Sequence, residues 1–389
     1  MSACITGWAH SRFGKSEAVD AEALIAEVAG PAIADAGLEP ADIDTVIVGA
    51  FNNGFGRQDF LGALVALAVP ELRHVPAVRV ENACATGSAA IHAGLRALES
   101  GTARHVLVVG VEKMTATPTS EVGEILLGAS YHKQEAGVQG GFAGVFAGIA
   151  RAYFQKYGDK SDSLARIAAK NHQNGAKNPC AHMRKALDYE FCRQVSDKNP
   201  LVADPLRRSD CSLISDGAAA LVMTGTETAL RTANKAVHFR AAEQVNDYLP
   251  LSLRSATVFE GAARAWSAAR TAAGVTNEDF SFVETHDCFT IAELIEYEAM
   301  GLAEPGEGAR VIDEGISARD GRLPVNPSGG LKSKGHPIGA TGVSQHVMAA
   351  MQLCGDAGEM QLDAPQLAGV FNMGGAAVAN YVSILERLR

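Results

Sequence analysis

The sequence predicts an α/β protein in which a doubly wound sheet is covered by helices on both faces. Short apolar runs rich in β-branched residues, such as 45–48 and 105–111, alternate with longer segments whose apolar residues recur at helical spacing, such as 21–36. This alternation is typical of strands buried between two layers of helices. The order of strand, helix and loop returns after residue 235, which indicates a tandem duplication of one α/β unit.

Residues 114–209 interrupt this alternation. Their first part, 121–139, mixes Gly, Ser, Tyr, His and Lys with little periodicity, and basic side chains are frequent further along. We read the segment as an insertion in the first unit. The expected parts are an N-terminal half (1–113), an inserted loop or lid domain (114–209), a return strand and helix of the N-terminal half (210–234) and a C-terminal half (235–389).

The composition narrows the class of protein. The chain has 389 residues, of which 47% are hydrophobic and 20% charged, and this is ordinary for a globular protein of two or three domains. The formal net charge of −10 argues against nucleic acid as a partner, so an anionic ligand would need a local basic patch. No uninterrupted apolar run reaches the roughly 18 residues of a membrane span. The N-terminus lacks the pattern of a signal peptide.

The cysteines give a further constraint. There are seven, an odd number, and no two of them form a C-x-x-C pair. This pattern argues against a disulfide framework and against a zinc site, and it fits a reducing cytoplasm.

The most informative stretch is Asn-Ala-Cys-Ala-Thr-Gly at 82–87. A predicted buried strand over 75–80 leads into it, and small residues followed by apolar residues at helical spacing predict a helix after it. Cys84 falls in the first turn of this helix, where free backbone amides and the helix dipole favour a thiolate, a good acyl acceptor. Because a free cysteine more often packs as a small apolar side chain, a catalytic role needs support from elsewhere in the chain.

Three further stretches adjoin predicted strands, as loops at the carboxyl edge of a sheet do. They are His-Asp-Cys-Phe at 286–289, Gly-His-Pro-Ile-Gly-Ala-Thr-Gly at 335–342 and Asn-Met-Gly-Gly at 372–375. Taken singly, each has an ordinary explanation as a polar loop, an anion cradle or a tight turn. Together with Cys84 they offer a nucleophile, histidine bases and exposed backbone amides.

These four motifs, in this order and spacing over nearly the whole chain, resemble those of thiolases, specifically the branch similar to sterol-carrier-protein-2 (SCP2) thiolases. The resemblance implies the five-layered αβαβα thiolase fold, with two similar halves and a loop domain inserted in the first. It also implies CoA-dependent cleavage of a 3-ketoacyl-CoA, or the reverse Claisen condensation, through an acyl group on Cys84. Coenzyme A is then a co-substrate, and no permanently bound cofactor and no metal ion are expected.

The resemblance assigns roles by position. Cys84 matches the nucleophile, and His336 matches the histidine that activates it and helps to bind a thioester oxygen. His286 matches the histidine that completes the first oxyanion hole. The backbone amides of Cys84 and Gly374 match the second oxyanion hole, where donors of this kind commonly contribute a few kcal/mol each.

One position departs from the common thiolase pattern. Many thiolases have a second catalytic cysteine in a Cys-x-Gly motif near the C-terminus, and Asn372 occupies that position here. In the SCP2-like branch the acid/base cysteine lies instead in the His-Asp-Cys-Phe motif. Cys288 is therefore the candidate for proton transfer at the α-carbon, although it could also serve only in packing.

Coenzyme A carries phosphates, so basic residues are expected along its path. The candidates are Arg184, Lys185, Arg207, Arg208, Lys332 and Lys334. The stretch 120–141 is expected to set the choice of acyl group. Candidates to line the acyl pocket, any of which could equally belong to the core, are Phe142, Phe146, Phe289 and Met348.

Two alternative functions stay open. A decarboxylating ketoacyl synthase has a related architecture with a cysteine at a helix N-terminus, although the motifs favour the thiolase branch. A non-catalytic acyl-CoA or lipid-binding subunit of a larger complex is the other alternative, and the intact set of Cys84, His286, Cys288 and His336 argues against it. The family implies a homodimer or homotetramer, in some relatives with a small zinc-ribbon/OB-fold companion that helps to form the CoA site.

Overall fold

The computed structural model describes residues 3–389 of the chain. Within these residues the strands are Ala3–His10 (β1), Thr45–Gly49 (β2), Ala77–Val80 (β3), His105–Glu112 (β4), Leu201–Ala203 (β5), Leu206–Arg207 (β6), Gly217–Gly225 (β7), Val237–Asn246 (β8), Phe282–Glu284 (β9), Leu367–Gly374 (β10) and Ala379–Arg387 (β11). Strands β5 and β6 form a small hairpin, and the other strands form one large sheet.

Helices occupy most of the segments between these strands. They are Ala21–Ala26 (α1), Ala29–Asp35 (α2), Val65–Ala68 (α3), Thr86–Glu99 (α4), Thr119–Leu126 (α5), His132–Glu135 (α6), Gly141–Tyr157 (α7), Ser161–Gly175 (α8), Tyr189–Arg193 (α9), Thr226–Thr232 (α10), Glu260–Ala273 (α11), Thr290–Ala299 (α12), Ala309–Asp313 (α13), Gly330–Lys334 (α14) and Ile338–Cys354 (α15). Local sequence explains several helix ends: Asp20 caps α1 through its side chain, and Gly274 and Gly355 end α11 and α15 in the left-handed conformation.

The large sheet has the strand order β3-β2-β4-β7-β1-β8-β11-β10-β9. In the first half β3, β2 and β4 are parallel, and in the second half β9 and β10 are parallel. In each half the last strand, β7 or β11, runs antiparallel to both of its neighbours. The first strands of the halves, β1 and β8, pair with each other. The matching order and direction confirm the predicted duplication.

The large sheet is continuous through the two residue pairs between β1 and β8, and its two halves lie on opposite sides of a central pair of helices, so the structure has five layers. Helices α4 and α15 lie against each other and contact strands of both halves, so they form the middle layer. Helices α1, α2 and α3 cover the outer face of the first half, and α11 and α12 cover that of the second. Helices α7 and α8 of the inserted segment pack on α12. The predicted αβαβα fold is confirmed.

Three sequence-based elements were wrong in detail. The helix predicted over 21–36 is broken between α1 and α2, because Pro31 has no N–H to donate to the carbonyl of Glu27. The apolar stretch 61–69, which Pro70 ends, also predicts a helix, but the segment begins as a 3-10 turn over Leu61–Leu64 and is α-helical only in α3. The strand predicted over 75–80 is not buried: β3 lies at the edge of the sheet, where among residues 3–389 it pairs with β2 alone and Val78 is 52% exposed.

Candidate active site

Cys84 lies in a strained turn between β3 and α4. Ala83 has a φ of +49°, a conformation that costs free energy for any residue other than glycine. Helix α4 begins at Thr86, two residues after the cysteine, and the Asn82 N–H donates to the Thr86 hydroxyl at 2.8 Å. The cysteine is therefore presented just before the helix, and the predicted placement within its first turn was off by two residues.

The Cys84 thiol is buried, with 4% of the residue exposed. Burial raises the pKa of this thiol to about 12, although hydrogen bonds from the backbone amides of Gly375 and of Cys84 itself oppose the rise. The charges of Glu81 and Glu112 add to it. The sequence-based expectation of a thiolate is therefore wrong for the resting protein, since loss of hydration outweighs the helix terminus. The thiol needs a base before it can attack.

The Gly-Gly pair after β10 faces the same turn. An added Cβ on Gly374 would lie 2.5 Å from the Asn82 carbonyl oxygen, so only glycine allows β10 to approach the backbone that leads to Cys84. The amide that hydrogen-bonds the sulfur is that of Gly375, whose φ is +62°. The Asn-Met-Gly-Gly motif included Gly375, but the predicted amide role was assigned to Gly374.

His286 and His336 lie beside Cys84. Their ring centres are 5.1 Å apart and the rings meet at 84°. One ring nitrogen of each histidine and the Cys84 sulfur all lie within 4.8 Å of one another. The structure thus brings together residues from three separate motifs. Cys84 and His336, the first and last of them, are more than 200 residues apart in the sequence.

Both histidines are held uncharged. Burial, followed by the positive charge of Lys334, lowers the pKa of His336 to about 3. Burial, followed by His336, lowers the pKa of His286 well below its usual value. Among residues 3–389, the Nε2 atoms of the two rings have no hydrogen-bond partner. They are available to a ligand in the site.

The opposite nitrogen of each ring is hydrogen-bonded to the protein. His336 Nδ1 lies 2.7 Å from Thr341 Oγ1 at the start of α15. His286 Nδ1 lies 2.9 Å from Asn372 Nδ2, and the same Asn372 nitrogen donates to the Cys84 carbonyl oxygen at 3.1 Å. Asn372 therefore connects the cysteine turn to His286.

Cys288 lines the same cavity as Cys84 and His336. It is 3% exposed, and its N–H donates to the His286 carbonyl oxygen at 2.9 Å. Burial, followed by the neighbouring Cys84, raises the pKa of the Cys288 thiol well above its usual value. The side chain is thus protonated at rest and adjacent to the nucleophile candidate.

The cavity has a volume of about 460 Å³ and is largely apolar. Phe142 and Phe289 line it as predicted, and so do parts of the 120–141 segment. Phe146 lies behind this wall, stacked on Phe289 with ring centres 4.5 Å apart. The prediction that Met348 lines the pocket was wrong, because its position along α15 directs it into a separate cluster with Ala357 and Met360. The other apolar lining residues are Met114, Val122, Leu126, Ala143, Val202, Leu213, Ile214 and Ile338.

Three of the six basic candidates are exposed. Arg208 lines the cavity directly. Arg184 and Lys185 lie on the surface beside the loop before His336, where the Met183 N–H donates to the Ser333 carbonyl at 3.1 Å. These three are placed where a phosphate could reach them.

The other three basic candidates are buried, which contradicts their proposed contact with a ligand phosphate from solvent. Arg207 is 3% exposed and its guanidinium is paired with Asp210 at 2.7 Å. The Lys332 ammonium donates to the Cys211 carbonyl, and Lys334 is fully enclosed. Burial lowers the pKa of both lysines.

Glu112 supports the site and was not found from sequence. Its buried carboxylate accepts N–H groups from Phe51 at 2.9 Å, Asn52 at 2.9 Å and Gly339 at 3.0 Å. Burial raises its pKa to about 7, and the three amides oppose the rise. The carboxylate thereby ties the end of β2 to the start of α15, just after His336. An acid at the end of a buried strand was the available sequence signal.

The side chains of Cys84, His286 and His336 are also of types that bind metal ions. Their possible ligand atoms lie close enough together to coordinate a single ion. A closed structural zinc site uses four protein ligands, and a catalytic site uses three. The expectation of no metal stays a prediction.

Among residues 3–389, no helix has both the length and the apolar character that a membrane span requires.

A doubly wound α/β fold and a buried cysteine–histidine site define the class of this protein. The thiolase N-terminal domain matches residues 3–227, and the thiolase C-terminal domain-like family matches residues 242–387. The chain belongs to the thiolase family, in the branch similar to SCP2 thiolases.

Two curated relatives cover most of the chain. An acetyl-CoA acetyltransferase of Methanothermobacter thermautotrophicus is 36% identical over 387 residues, which are 98% of this chain and 99% of the relative. Sterol carrier protein 2 of Homo sapiens is 33% identical over 379 residues, which are 91% of this chain and 66% of the relative.

Solved structures share the fold at low sequence identity. The Ltp2-ChsH2(DUF35) aldolase has a TM-score of 0.84 at 22% identity, with 100% of this chain and 98% of that chain covered. Human mitochondrial 3-ketoacyl-CoA thiolase in complex with CoA has a TM-score of 0.77 at 17% identity, with 100% and 98% covered.

Proposed function

We propose that the protein is a thiolase that transfers an acyl group between coenzyme A and Cys84, cleaving a 3-ketoacyl-CoA or running the reverse condensation. The observation that carries this proposal is the convergence of Cys84, His286 and His336 within 4.8 Å beside an apolar cavity that Cys288 also lines. The acetyl-CoA acetyltransferase relative supports it over nearly the full length.

The first half-reaction forms an acyl-enzyme. His336 Nε2 takes the proton of Cys84, and the sulfur attacks the 3-keto carbon of the substrate. The backbone amides of Cys84 and Gly374, the predicted pair, stabilise the oxyanion of the tetrahedral intermediate, and the Gly375 amide lies beside them at the Cys84 sulfur. The bond between the α- and β-carbons then breaks, and its electron pair passes to the departing thioester as an enolate.

Proton transfer completes this half-reaction. The enolate oxygen is held by His286 and by His336, which now carries the proton from Cys84. The Cys288 thiol donates its proton to the α-carbon, which releases the CoA-bearing fragment as acetyl-CoA when the α-carbon is unbranched, while the shortened acyl group stays on Cys84. His336 carries the proton that it took from Cys84. The raised pKa of the Cys288 thiol keeps that thiol protonated until it donates to the α-carbon.

The second half-reaction transfers the acyl group to coenzyme A. The Cys288 thiolate takes the proton of the incoming CoA thiol, whose sulfur attacks the thioester on Cys84. Collapse of the tetrahedral intermediate releases acyl-CoA, and His336 returns its proton to the Cys84 sulfur. All groups are then in their starting protonation states.

Intact-mass measurement tests the nucleophile. The purified chain is mixed with short, long and aryl-substituted 3-ketoacyl-CoAs in the absence of free CoA. We expect an acyl adduct that disappears in Cys84→Ala and persists in Cys211→Ala, a matched change of another cavity-lining cysteine. An adduct that survives in Cys84→Ala would overturn the assignment, and the compound that labels fastest identifies the acyl group accepted.

The adduct measurement, together with a condensation assay that supplies a malonyl thioester and follows CO₂, separates the alternatives. A decarboxylating ketoacyl synthase would require a malonyl thioester and release CO₂ during condensation. A binding subunit would give no adduct with any compound. The apolar cavity walls contributed by Phe142 and Phe289 favour an apolar acyl group over a charged one.

We also propose a homo-oligomer that forms through the edge of the sheet at β3. Its unpaired edge is accompanied by exposed apolar side chains, namely Phe60 at 77%, Leu67 at 62% and Val78 at 52%. Such an edge favours pairing with a second copy. Light scattering should give a dimer or tetramer for the wild type and for Val19→Lys, and a monomer for Val78→Lys.

A companion subunit is the remaining proposal about partners. The name of the Ltp2-ChsH2(DUF35) aldolase joins two components, and this supports a second protein beside the chain. Co-purification from the native host tests it, and full activity of the isolated chain would contradict a requirement for a companion.

The free state of all seven cysteines supports our expectation of a cytoplasmic location.

A further inference from the structure

We propose that Thr341 and Asn372 hold the two site histidines in opposite tautomers. His336 is thereby made a base at Nε2, and His286 a hydrogen-bond donor at Nε2. The inference rests on the proposed function and assigns the parts of that site. Both residues act through a histidine, so they are positioning residues.

The Thr341 hydroxyl determines the tautomer of His336. Its oxygen lies 2.9 Å from the Pro337 carbonyl oxygen and 2.7 Å from His336 Nδ1. A hydroxyl has one proton, and a carbonyl can only accept, so Thr341 donates to Pro337. The oxygen must then accept from Nδ1–H of His336. The remaining nitrogen, Nε2, carries a lone pair and has no partner among residues 3–389.

The Asn372 amide determines the tautomer of His286. The Asn372 atom 3.1 Å from the Cys84 carbonyl oxygen must be the amide nitrogen, because two oxygens there would repel each other. The same nitrogen lies 2.9 Å from His286 Nδ1. Its second hydrogen points to that ring, so Nδ1 accepts and the ring proton is on Nε2. This N–H has no partner among the described residues.

The two tautomers match the two tasks. A lone pair on His336 Nε2 can accept the Cys84 proton, whereas an Nε2–H on His286 can donate to a developing oxyanion. Reversing either tautomer would remove that ability without moving the ring. A thiol has one weak donor hydrogen and could not satisfy Cys84 and His286 together. Asn372 thus supplies two donors where other thiolases have the Cys-x-Gly cysteine, and proton transfer is left to Cys288.

Asn372→Asp tests the assignment through its pH dependence. A carboxylate only accepts, so it draws the His286 proton to Nδ1 and leaves Nε2 without hydrogen. The His286 Nε2–H returns only at lower pH, when one additional proton binds to the pair formed by the new carboxyl group and the His286 imidazole. The cleavage rate of the variant relative to wild type should therefore fall as pH rises from about 5 to about 8. The loss at the upper end should be about 10²- to 10³-fold, the effect of one oxyanion donor.

A control variant and a double-mutant cycle distinguish this effect on His286 from a general loss of stability or activity. Asn380→Asp changes another buried asparagine, which donates to the Ala377 carbonyl at 3.0 Å, and its relative rate should be flat with pH. In a His286→Ala background, Asn372→Asp should cost little more, because the residue acts through the ring that is already absent. A flat ratio for Asn372→Asp, or full additivity, would overturn the proposal.

¹⁵N NMR of histidine-labelled protein reads the tautomers without activity. The wild type should show a protonated Nδ1 for His336 and a protonated Nε2 for His286, assigned through His336→Ala and His286→Ala. Thr341→Ser should preserve the first pattern and Thr341→Val should lose it. The same tautomer on both rings would overturn the proposal even if Asn372→Asp does not fold. Absence of a Cys84 acyl adduct in wild type would instead count against the proposed function.

Discussion

Gly87 of α4 and Gly342 of α15 meet backbone to backbone, since a Cβ added to Gly87 would lie 2.7 Å from the Gly342 nitrogen. The two helices begin just after Cys84 and His336, so their close approach sets the distance between the nucleophile and base candidates. No side chain other than hydrogen fits at this crossing.

Gly87→Ala should therefore destabilise the protein by about 3 kcal/mol, the upper range for overpacking in a core. Urea unfolding measures the loss. Gly137→Ala is the matched control, since a Cβ there meets nothing within 4 Å, and we expect a change of no more than about 0.5 kcal/mol. Equal stability of the two variants would show that α4 and α15 can separate without cost.

Substitution of the adjacent residues Arg207 and Arg208 should affect different properties of the protein, namely its stability and its affinity for CoA. Arg207→Met leaves Asp210 buried without its ion-pair partner, which should lower the free energy of unfolding by about 3 kcal/mol. Arg208→Met removes an exposed charge at the cavity and should raise KM for CoA about fivefold, equal to roughly 1 kcal/mol, with unchanged stability. Steady-state kinetics and thermal unfolding of both variants check this, and a higher KM for Arg207→Met alone would contradict it.

Alkylation of Cys84 should report its buried thiol. Because burial raises its pKa to about 12, the thiolate fraction increases about tenfold for each pH unit throughout the accessible range. The iodoacetamide rate at the Cys84 peptide, followed by mass spectrometry, should rise from pH 7 to 9.5 without a plateau. The same peptide in urea is the control and should level off near the ordinary thiol pKa. A plateau below pH 8 in the folded protein would indicate a resting thiolate.

Glu112 should make stability depend on pH. Its folded pKa of about 7 lies above the ordinary value of 4.5, so the folded protein binds the proton more tightly than the unfolded chain. The associated stability is full below pH 4.5 and is lost as pH rises to 7, by about 3 kcal/mol. Unfolding free energies of wild type minus Glu112→Gln should show this decline, whereas a difference that rises with pH would contradict the assignment.

Much of the site could be predicted because motif and topology agree. Parallel strands end at the same edge of a sheet, so the residues that follow β9 and β10 were expected near one another. Their approach to Cys84, which belongs to the other half, was implied by the resemblance to thiolases. The sequence also contained Pro31, which breaks the first predicted helix and was overlooked. These features depend on local residues and on strand direction.

The remaining features depend on tertiary burial, which a single sequence does not contain. Arg207 and Arg208 are neighbours of the same type, yet one is enclosed with Asp210 and the other faces the cavity. The exposed position of β3 depends on strand order, which alternation alone leaves open. The raised pKa of Cys84 reflects enclosure by segments far away in the chain, which outweighs the local helix terminus.

The duplication divides the chemistry unequally. The proposed nucleophile, Cys84, comes from the first unit, while His286, Cys288 and His336 all come from the second, and the central helices α4 and α15 hold the two sets together. Neither repeat has a complete set, so each is obligatory to the other.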